Sequence, residues 1–427
     1  MKILHLSMAD VKGGAAKAAY SLNAALNSAG IESSMLVQEK HGNDPNVRTF
    51  VGSPLKKAMY GERYLLDYLS IRFLTIQSRG RFSFPYFGSD VSRHPLVREA
   101  SVVHLHWING GFFSFRTFEQ LAATKKPIVW TLHDMWAFTG GCHYSGGCEK
   151  YMTECKDCPS LRIRGERDLS RRIFARKKGL YEKLPVQFVT CSNWLAGEAK
   201  KSCLLSKSSV TAVPNPIEID VYKPVDKALA RRSLNLPADK MFILFGTMTL
   251  KEERKGFRYL KEALNILWSR YPDLRTKIEI LVFGASDEEI LRDIPFKTHS
   301  LGRISGTEKL VECYNAADVF VAPSLEDNLP NTVMEALACG IPVVAFKTGG
   351  VPEMVDHMKN GYLAELRSSQ SLAEGIYWTI NRAGAESSLR EEARRKVVSN
   401  YTPEIVAGKY KEIYDELLAS SRSRESS

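Results

Sequence analysis

The sequence predicts an α/β protein built from two doubly wound parallel-sheet domains. The chain has 427 residues with 44% hydrophobic content, enough to bury two ordinary cores. Short apolar runs alternate with helical patterns, and these runs are hydrophobic throughout rather than at every second residue, as strands covered on both faces require. The alternation also restarts midway, after a polar stretch that contains prolines.

In the first half "MKILHLS" reads as a strand, and "GGAAKAAYSLNAALNSAG" as a glycine turn opening a helix that stops at Gly30. "ESSMLVQE", "SVVHLHWI", "KPIVWTLHD", "PVQFVTCS" and "SVTAVPN" continue the strand series. The joining segment runs near Pro216 to Pro237, and new strands follow at "MFILFGTM", "KIEILVFG", "DVFVAPS" and "PVVAFKTGG". After Tyr401, "TPEIVAGKYKEIYDELLAS" is an amphipathic helix with a Thr-Pro start, and the polar "SSRSRESS" is expected to fray. The domain bounds that result are 1–215, 216–400 and 401–427, with a Cys-rich loop at 140–160.

No run of eighteen apolar residues occurs, and the opening "MKILHLSMADVKGG" lacks a signal-peptide pattern, so a cytoplasmic protein is expected. The formal charge of +11 allows anionic lipid, nucleic acid or phosphorylated ligands as partners. Eight basic and two acidic residues fall in "LRIRGERDLSRRIFARKKG". "PLKKAMYGERYLLDYLSIRFLTIQSRGRF" mixes Lys and Arg with Tyr, Leu and Phe. Such surfaces suit an anionic membrane or are solvated helix faces, and the Tyr and Leu stripe is expected to turn to the core.

Ligands of open parallel sheets sit beyond the carboxyl ends of the strands. Gly13 and Gly14 lie there, where backbone N–H groups meet a helix start; a tight turn that needs glycine explains them equally. In "TMTLKEERKGF", Arg254 and Lys255 suit a diphosphate, or belong to a solvated charge run. In "SLEDNLPNTVMEALACGIPVVAF", Asp327 precedes a helix and Glu335 lies within it. A carboxylate at Glu335 can accept two ribose hydroxyls, while ordinary helix capping would also place acids here.

"PSLEDNLPNTVMEALACGIPVVAFKTGGVPEMVD" resembles the donor-sugar signature of family 4 retaining glycosyltransferases of GT-B architecture: Glu-x7-Glu, a small-residue helix, Gly-x-Pro-Val-Val and a Gly-Gly-x-x-Glu loop. The likeness continues through "YNAADVFVAPS", "RKGFRYL", "GGAAKAAYSL", "VVHLHWINGG" and "TLHDMWAFTGGCHY", nearly the whole chain. The N-terminal wording is similar to the branch acting in capsule, colanic-acid or other exopolysaccharide assembly.

The resemblance implies two domains facing a cleft, with the first binding the acceptor, the second the donor, and the last helix crossing back to the first. It implies transfer of a hexosyl group from a UDP- or GDP-sugar to a hydroxyl of a glycan or lipid-linked saccharide, with retention at the anomeric carbon. Lys255 would bind the diphosphate, Glu335 the ribose, and Asp327 the transferred hexose. Glu326 is the substitute, because Asp327 is one methylene shorter than the family's Glu. Asn328, Leu329, Pro330 and Asn331 complete that loop. The family's Gly-Arg after the first strand of the second half is replaced by "FGTMTL", so Arg254 or Arg303 would supply the second cation. His133 in "WTLHD" matches the family's active-site histidine. The departing phosphate oxygen would take the acceptor's proton, and no metal or other cofactor is needed for catalysis.

Cys142, Cys148, Cys155 and Cys158 form Cys-x5-Cys-x6-Cys-x2-Cys, a density suited to structural zinc. Two disulfides or plain buried thiols fit the same spacing, and His143 is an alternative ligand. Cys191, Cys203, Cys313 and Cys339 are expected as core fillers. Two other functions compete: a GT-B-like isomerase or phosphorylase, and a basic Cys-rich nucleic-acid binder.

Overall fold

A computed structural model describes residues 1–425 apart from 77, 79, 286–287 and 384–386. The chain divides into two compact units, Met1–Pro216 with Pro403–Ser427, and Ile217–Thr402.

The first unit is a sheet of β1 (Lys2–Ala9), β2 (Glu32–Glu39), β3 (Val47–Thr49), β4 (Val102–Leu105), β5 (Ile128–Leu132), β6 (Val186–Thr190) and β7 (Val210–Ala212). Its order is β3-β2-β1-β4-β5-β6-β7, and the pairings are parallel. Every residue of β4 and β5 is buried, which is why their sequences lack alternation. The order reverses between β1 and β4, so the loops after these strands diverge to opposite faces and leave a crevice at their carboxyl ends. Gly13, at φ 99°, makes the turn from β1 into the helix Gly14–Ser28. The short edge strand β3 has no counterpart in the sequence reading, because three residues give too little pattern.

The final helix, Pro403–Glu425, belongs to this unit. Val406, Ala407, Tyr410 and Tyr414 join Leu22, Ala25, Leu26 and strand residues Ile3, Val102, Val129 and Val189 in one apolar cluster. Polar bonds fasten the same face: Tyr414 Oη lies 2.7 Å from His104 Nδ1, His104 Nε2 lies 2.7 Å from Thr131 Oγ1, and Tyr410 Oη lies 2.8 Å from that hydroxyl. Much of the expected fraying is absent, since the helix continues to Glu425; Ser426 and Ser427 lie outside the described residues.

The second unit holds β8 (Met241–Thr249), β9 (Ile278–Ala285), β10 (Thr298–Ser300), β11 (Val319–Ala322), β12 (Val343–Phe346) and β13 (Gly361–Ala364) in the order β10-β9-β8-β11-β12-β13. These pairings too are parallel. Its reversal falls between β8 and β11. The joining segment adds the helix Lys227–Ser233, fixed by Arg231 and Lys227 to Asp318 at 2.8 and 2.6 Å.

One expectation holds only in part in the first unit. Tyr60, Ile71 and Leu74 of helix Pro54–Leu74 pack against the core, but Leu65 and Tyr68 are each 53% exposed and Phe73 is 68% exposed. The apolar residues follow one another as Tyr64-Leu65-Leu66, so no single helical face gathers them all. Gln77 and Arg79 of the same basic segment lie outside the described residues. In helix Leu169–Tyr181 the basic side chains divide. Arg171 pairs with Glu154 and Arg176 with Glu119 at the surface, whereas Lys177 is buried.

Candidate active site

In the second unit the loops after β8 and β11 meet at the topological switch. β8 leads into a turn at Glu253–Lys255, and Gly256, at φ 70°, reverses the chain into the helix Phe257–Arg270. A Cβ on Gly256 would stand 1.8 Å from the Pro323 carbonyl oxygen, so glycine lets the two loops touch. Leu325 N–H donates to the Arg254 carbonyl at 2.7 Å and ties them together.

Asp327, 6% exposed, is the hub. Its Oδ2 accepts from Lys255 Nζ at 2.6 Å, lies 3.1 Å from an Arg254 guanidinium nitrogen, and accepts from Ser324 Oγ at 3.3 Å. Arg254 also donates to the Glu326 carbonyl at 2.7 Å and to the Glu252 carboxylate at 2.7 Å. Burial opposes ionisation of Asp327, but the two cations and their hydrogen bonds outweigh it and lower its pKa to about 2. Arg254 and Lys255 are thus no mere solvated run. Arg303 is exposed and follows the edge strand β10, so of the two candidates for second cation it is Arg254 that stands beside Asp327.

Asp327 does not cap the helix Asn331–Ala338, whose N-cap is Pro330 without a side-chain bond. Instead Gly350 N–H donates to the Asp327 carbonyl at 3.1 Å, and Gly349, at φ 55°, leaves room for that carbonyl where a Cβ would lie 1.7 Å away. Asn328, Leu329 and Pro330 are buried and Asn331 is half-buried, which fixes this loop's course. Glu326, beside the hub, is half-buried.

Glu335 lies in the second turn of that helix, 6% exposed. Tyr314 donates its hydroxyl to Glu335 Oε2 at 2.7 Å, and Tyr222 also hydrogen-bonds this carboxylate. Burial, followed by the negative charge of Glu335, pushes both phenol pKa values well up. Sequence reasoning missed these tyrosines: "CYNAAD" around Tyr314 reads as an ordinary amphipathic helix, and Tyr222 lies in the polar segment that joins the two strand series.

In the first unit His133 follows β5 and is half-buried. Behind it runs a string of imidazoles: His5 Nδ1 lies 2.8 Å from His106 Nε2, and His106 Nδ1 lies 3.2 Å from His133 Nε2. His133 Nδ1 lies 3.4 Å from Cys191 Sγ, which reaches the Leu132 carbonyl at 3.6 Å. Burial lowers the pKa of His133 to about 4 and of His5 to about 3, and holds His104 and His106 well below the ordinary value. Each ring is therefore neutral and carries one N–H.

One direction of donation suits the whole string. Cys191 S–H donates to Leu132, so its sulfur accepts from His133 Nδ1–H. His133 Nε2 then accepts from His106 Nδ1–H, and His106 Nε2 from His5 Nδ1–H. The opposite direction would place a proton on His5 Nε2, a buried atom with no hydrogen-bond partner, and an orphan donor is the costlier case. Cys191 is more than the core filler expected from its apolar surroundings; it fixes the outer nitrogen of His133. Cys203 is half-buried and bonds the Thr153 carbonyl at 2.8 Å, whereas Cys313 and Cys339 are buried fully.

Asp134 accepts from His143 Nδ1 at 2.7 Å, and His143 Nε2 meets Ser83 Oγ at 2.8 Å. Both nitrogens of His143 are thereby committed, which removes it as an alternative ligand beside the cysteines. Gly13 and Gly14 lie after β1, next to the first unit's own switch point, where Asp10 gathers the N–H groups of Val11, His41 and Gly42 at 2.8 to 2.9 Å.

Comparison with known proteins finds likenesses in sequence and in fold. Residues 239–382 match the family "Glycosyl transferases group 1". The chain is 24% identical over 424 residues to WcaC of Escherichia coli strain K12, a glycosyl transferase whose name assigns it to colanic acid biosynthesis, covering 94% of this chain and 98% of that one. Other curated relatives, among them D-inositol 3-phosphate glycosyltransferases, align over 38% to 51% of their own length. Among solved structures, sucrose-phosphate synthase of Thermosynechococcus elongatus superimposes with a TM-score of 0.67 at 19% identity, covering 98% of this chain and 100% of that one. HepE of Anabaena, crystallised with UDP-glucose, gives 0.63 at 15% identity, covering 97% and 100%. These likenesses establish the GT-B fold.

Proposed function

We propose, from the match of residues 239–382 to "Glycosyl transferases group 1" and from the GT-B fold, that the chain moves a hexosyl group from a nucleotide sugar to a hydroxyl of a glycan or lipid-linked saccharide, with retention at the anomeric carbon. The observation that carries this reading is the convergence of Arg254 and Lys255 on Asp327 at the switch point of the second unit, with Glu335 on the next helix. Lys255 and Arg254 take the diphosphate and stabilise the charge that grows on its leaving oxygen. Glu335, oriented by Tyr314 and Tyr222, takes the ribose hydroxyls. Asp327 holds both cations before the donor arrives and turns to the hexose as the diphosphate competes for them. Glu326, Asn328, Leu329, Pro330 and Asn331 shape the sugar side.

The departing phosphate oxygen takes the acceptor's proton on the face it leaves, so no protein base is required. His133 of the first unit, neutral and with its two nitrogens taken by His106 and Cys191, suits contact rather than acid–base work, and Gly13 and Gly14 supply the turn after β1 in the same unit. A UDP- or GDP-sugar donor fits this set, and the HepE complex with UDP-glucose supports the former. The likeness to WcaC supports exopolysaccharide assembly as the setting.

Among the described residues no helix is long and apolar enough to cross a membrane. The exposed Tyr64, Leu65, Tyr68 and Phe73 on helix Pro54–Leu74, with Lys56, Lys57 and Arg72 on the same helix, support peripheral contact with an anionic membrane on the cytoplasmic side.

Incubation with UDP- and GDP-sugars and lipid-linked saccharide acceptors tests the reading. Acceptor-dependent release of nucleoside diphosphate, with a product of unchanged anomeric configuration by NMR, is expected. An inverted product would overturn retention, and conversion of the sugar without acceptor would indicate an isomerase.

A further inference from the structure

The Cys-rich loop closes around a cavity that the transferase reading does not use. Cys142, Cys148, Cys155 and Cys158 all line one space of about 20 Å³, together with Gly140, Lys150, Tyr151, Lys156 and Ser170. That volume fits one water or one ion. Water is poorly served there, because thiols are weak hydrogen-bonding partners and no carboxylate or imidazole belongs to the lining. The same set of four sulfurs suits a soft, tetrahedral cation.

Hydrogen-bond donors stand beside two of the sulfurs, while burial raises the thiol pKa of Cys142, Cys155 and Cys158. Gly140 N–H donates to Cys155 Sγ at 3.2 Å, and Ser160 bonds Cys158 through both its backbone and its side chain. Such donors orient coordinating sulfurs and spread their charge. A cation bound by four thiolates leaves a net charge of about −2, and Lys150 and Lys156 line the space while buried Lys177 interacts with Cys142 and Cys155. Gly140 admits this packing: a Cβ there would lie 2.8 Å from Cys155 Cβ and 2.7 Å from the Ser170 carbonyl.

Two competitors are weaker. All eight cysteines stand as free thiols, Cys142 and Cys148 half-buried and Cys155 and Cys158 buried. The buried group His5, His104 and His106 brings three ring nitrogens within 4.8 Å of one another. These rings, however, are engaged in hydrogen bonds, His104 at both nitrogens.

We propose that Cys142, Cys148, Cys155 and Cys158 bind one structural zinc ion. As each Zn–S bond forms, a thiol proton passes to solvent; the metal stays divalent and nothing is oxidised. Tetrahedral zinc with Zn–S bonds near 2.3 Å sets sulfurs roughly 3.8 Å apart. Among the described residues no three cysteine sulfurs lie within 4.8 Å of one another, so binding requires the loop to bring them closer. The ion then closes residues 142–158 into one loop, a few positions after the segment that leaves β5 through His133 and Asp134.

Elemental analysis of full-length protein purified without added metal tests this, followed by exchange of the bound ion for cobalt. About one zinc per chain is expected, with cobalt giving the intense visible bands of tetrahedral thiolate coordination. Cys148→Ser, at a half-buried position, should lose both signals, while Cys203→Ser, outside the cluster, should keep both. Should Cys148→Ser fail to fold, the wild-type cobalt spectrum and the thiols' resistance to alkylation until a chelator is added decide the matter. Stoichiometric zinc with thiolate bands in wild type and in Cys203→Ser sustains the proposal. Metal-free wild type, cobalt without thiolate bands, thiols alkylated equally with and without chelator, or full retention of both signals by Cys148→Ser would overturn it.

Discussion

At the scale of single residues, the buried carboxylates of the second unit are set apart by their partners. Glu335 is held by tyrosine hydroxyls, Asp327 by two cations. Tyr314→Phe removes a hydrogen bond to a buried carboxylate, so a stability loss of roughly 1.5 to 3 kcal/mol is expected in urea unfolding, together with weaker nucleoside binding. Asp327→Asn removes the shared anion, and a loss of about 3 kcal/mol is expected; an unchanged urea midpoint would show that the cations find another partner. The sequence made both acids visible through their eight-residue spacing. It did not show that Asp327 binds Arg254 and Lys255, because that contact joins loops 72 positions apart and depends on the strand order. Tyr314 was hidden for the same reason, as a helical tyrosine announces burial but not its hydrogen-bond partner.

At the scale of elements, the strands were legible because fully buried parallel strands show as unbroken apolar runs. The three-residue edge strands β3 and β10 fell below that signal. The histidine string was present in "MKILHLS", "VVHLHW" and "WTLHD", yet only the parallel register of β1, β4 and β5 aligns the rings. Its consequence is pH-dependent stability. The native pKa values of His5 and His133, about 3 and about 4, lie below the unfolded value, as do those of His104 and His106. The unfolded chain therefore takes up more protons as pH falls below about 6.5, and stability, complete above that pH, declines toward pH 4. Each such imidazole contributes a slope of up to about 1.4 kcal/mol per pH unit. Chemical denaturation at pH 7.5, 6.5 and 5.5 should show the midpoint falling most over the last interval; a flat profile would contradict neutral burial. Gly349→Ala acts at the loop carrying Asp327, where the new Cβ meets the Asp327 carbonyl. Loss of both stability and nucleotide affinity is expected in thermal-shift and titration experiments.

At the scale of the whole molecule, the charge of +11 accompanies an exposed aromatic helix in the first unit, whereas the paired cations of the second unit hold a buried carboxylate. Co-sedimentation with anionic vesicles should fall when salt screens the basic residues and again with Tyr68→Ser and Phe73→Ser, while neutral vesicles bind weakly. Composition allowed nucleic acid as an equal partner, and the strand-end loops, not the net charge, tell the choices apart. The central claim, a nucleotide-diphosphate site at Lys255 and Glu335, is tested most directly by calorimetric titration of wild type, Lys255→Ala and Glu335→Gln with nucleoside and nucleoside diphosphate, well below the melting transition. Lys255→Ala should weaken the diphosphate and spare the nucleoside. Glu335→Gln should weaken both by ten-fold or more, as loss of charge-assisted bonds worth about 1.5 to 3 kcal/mol each requires. Equal affinity of all three proteins for the nucleoside diphosphate would contradict the assignment.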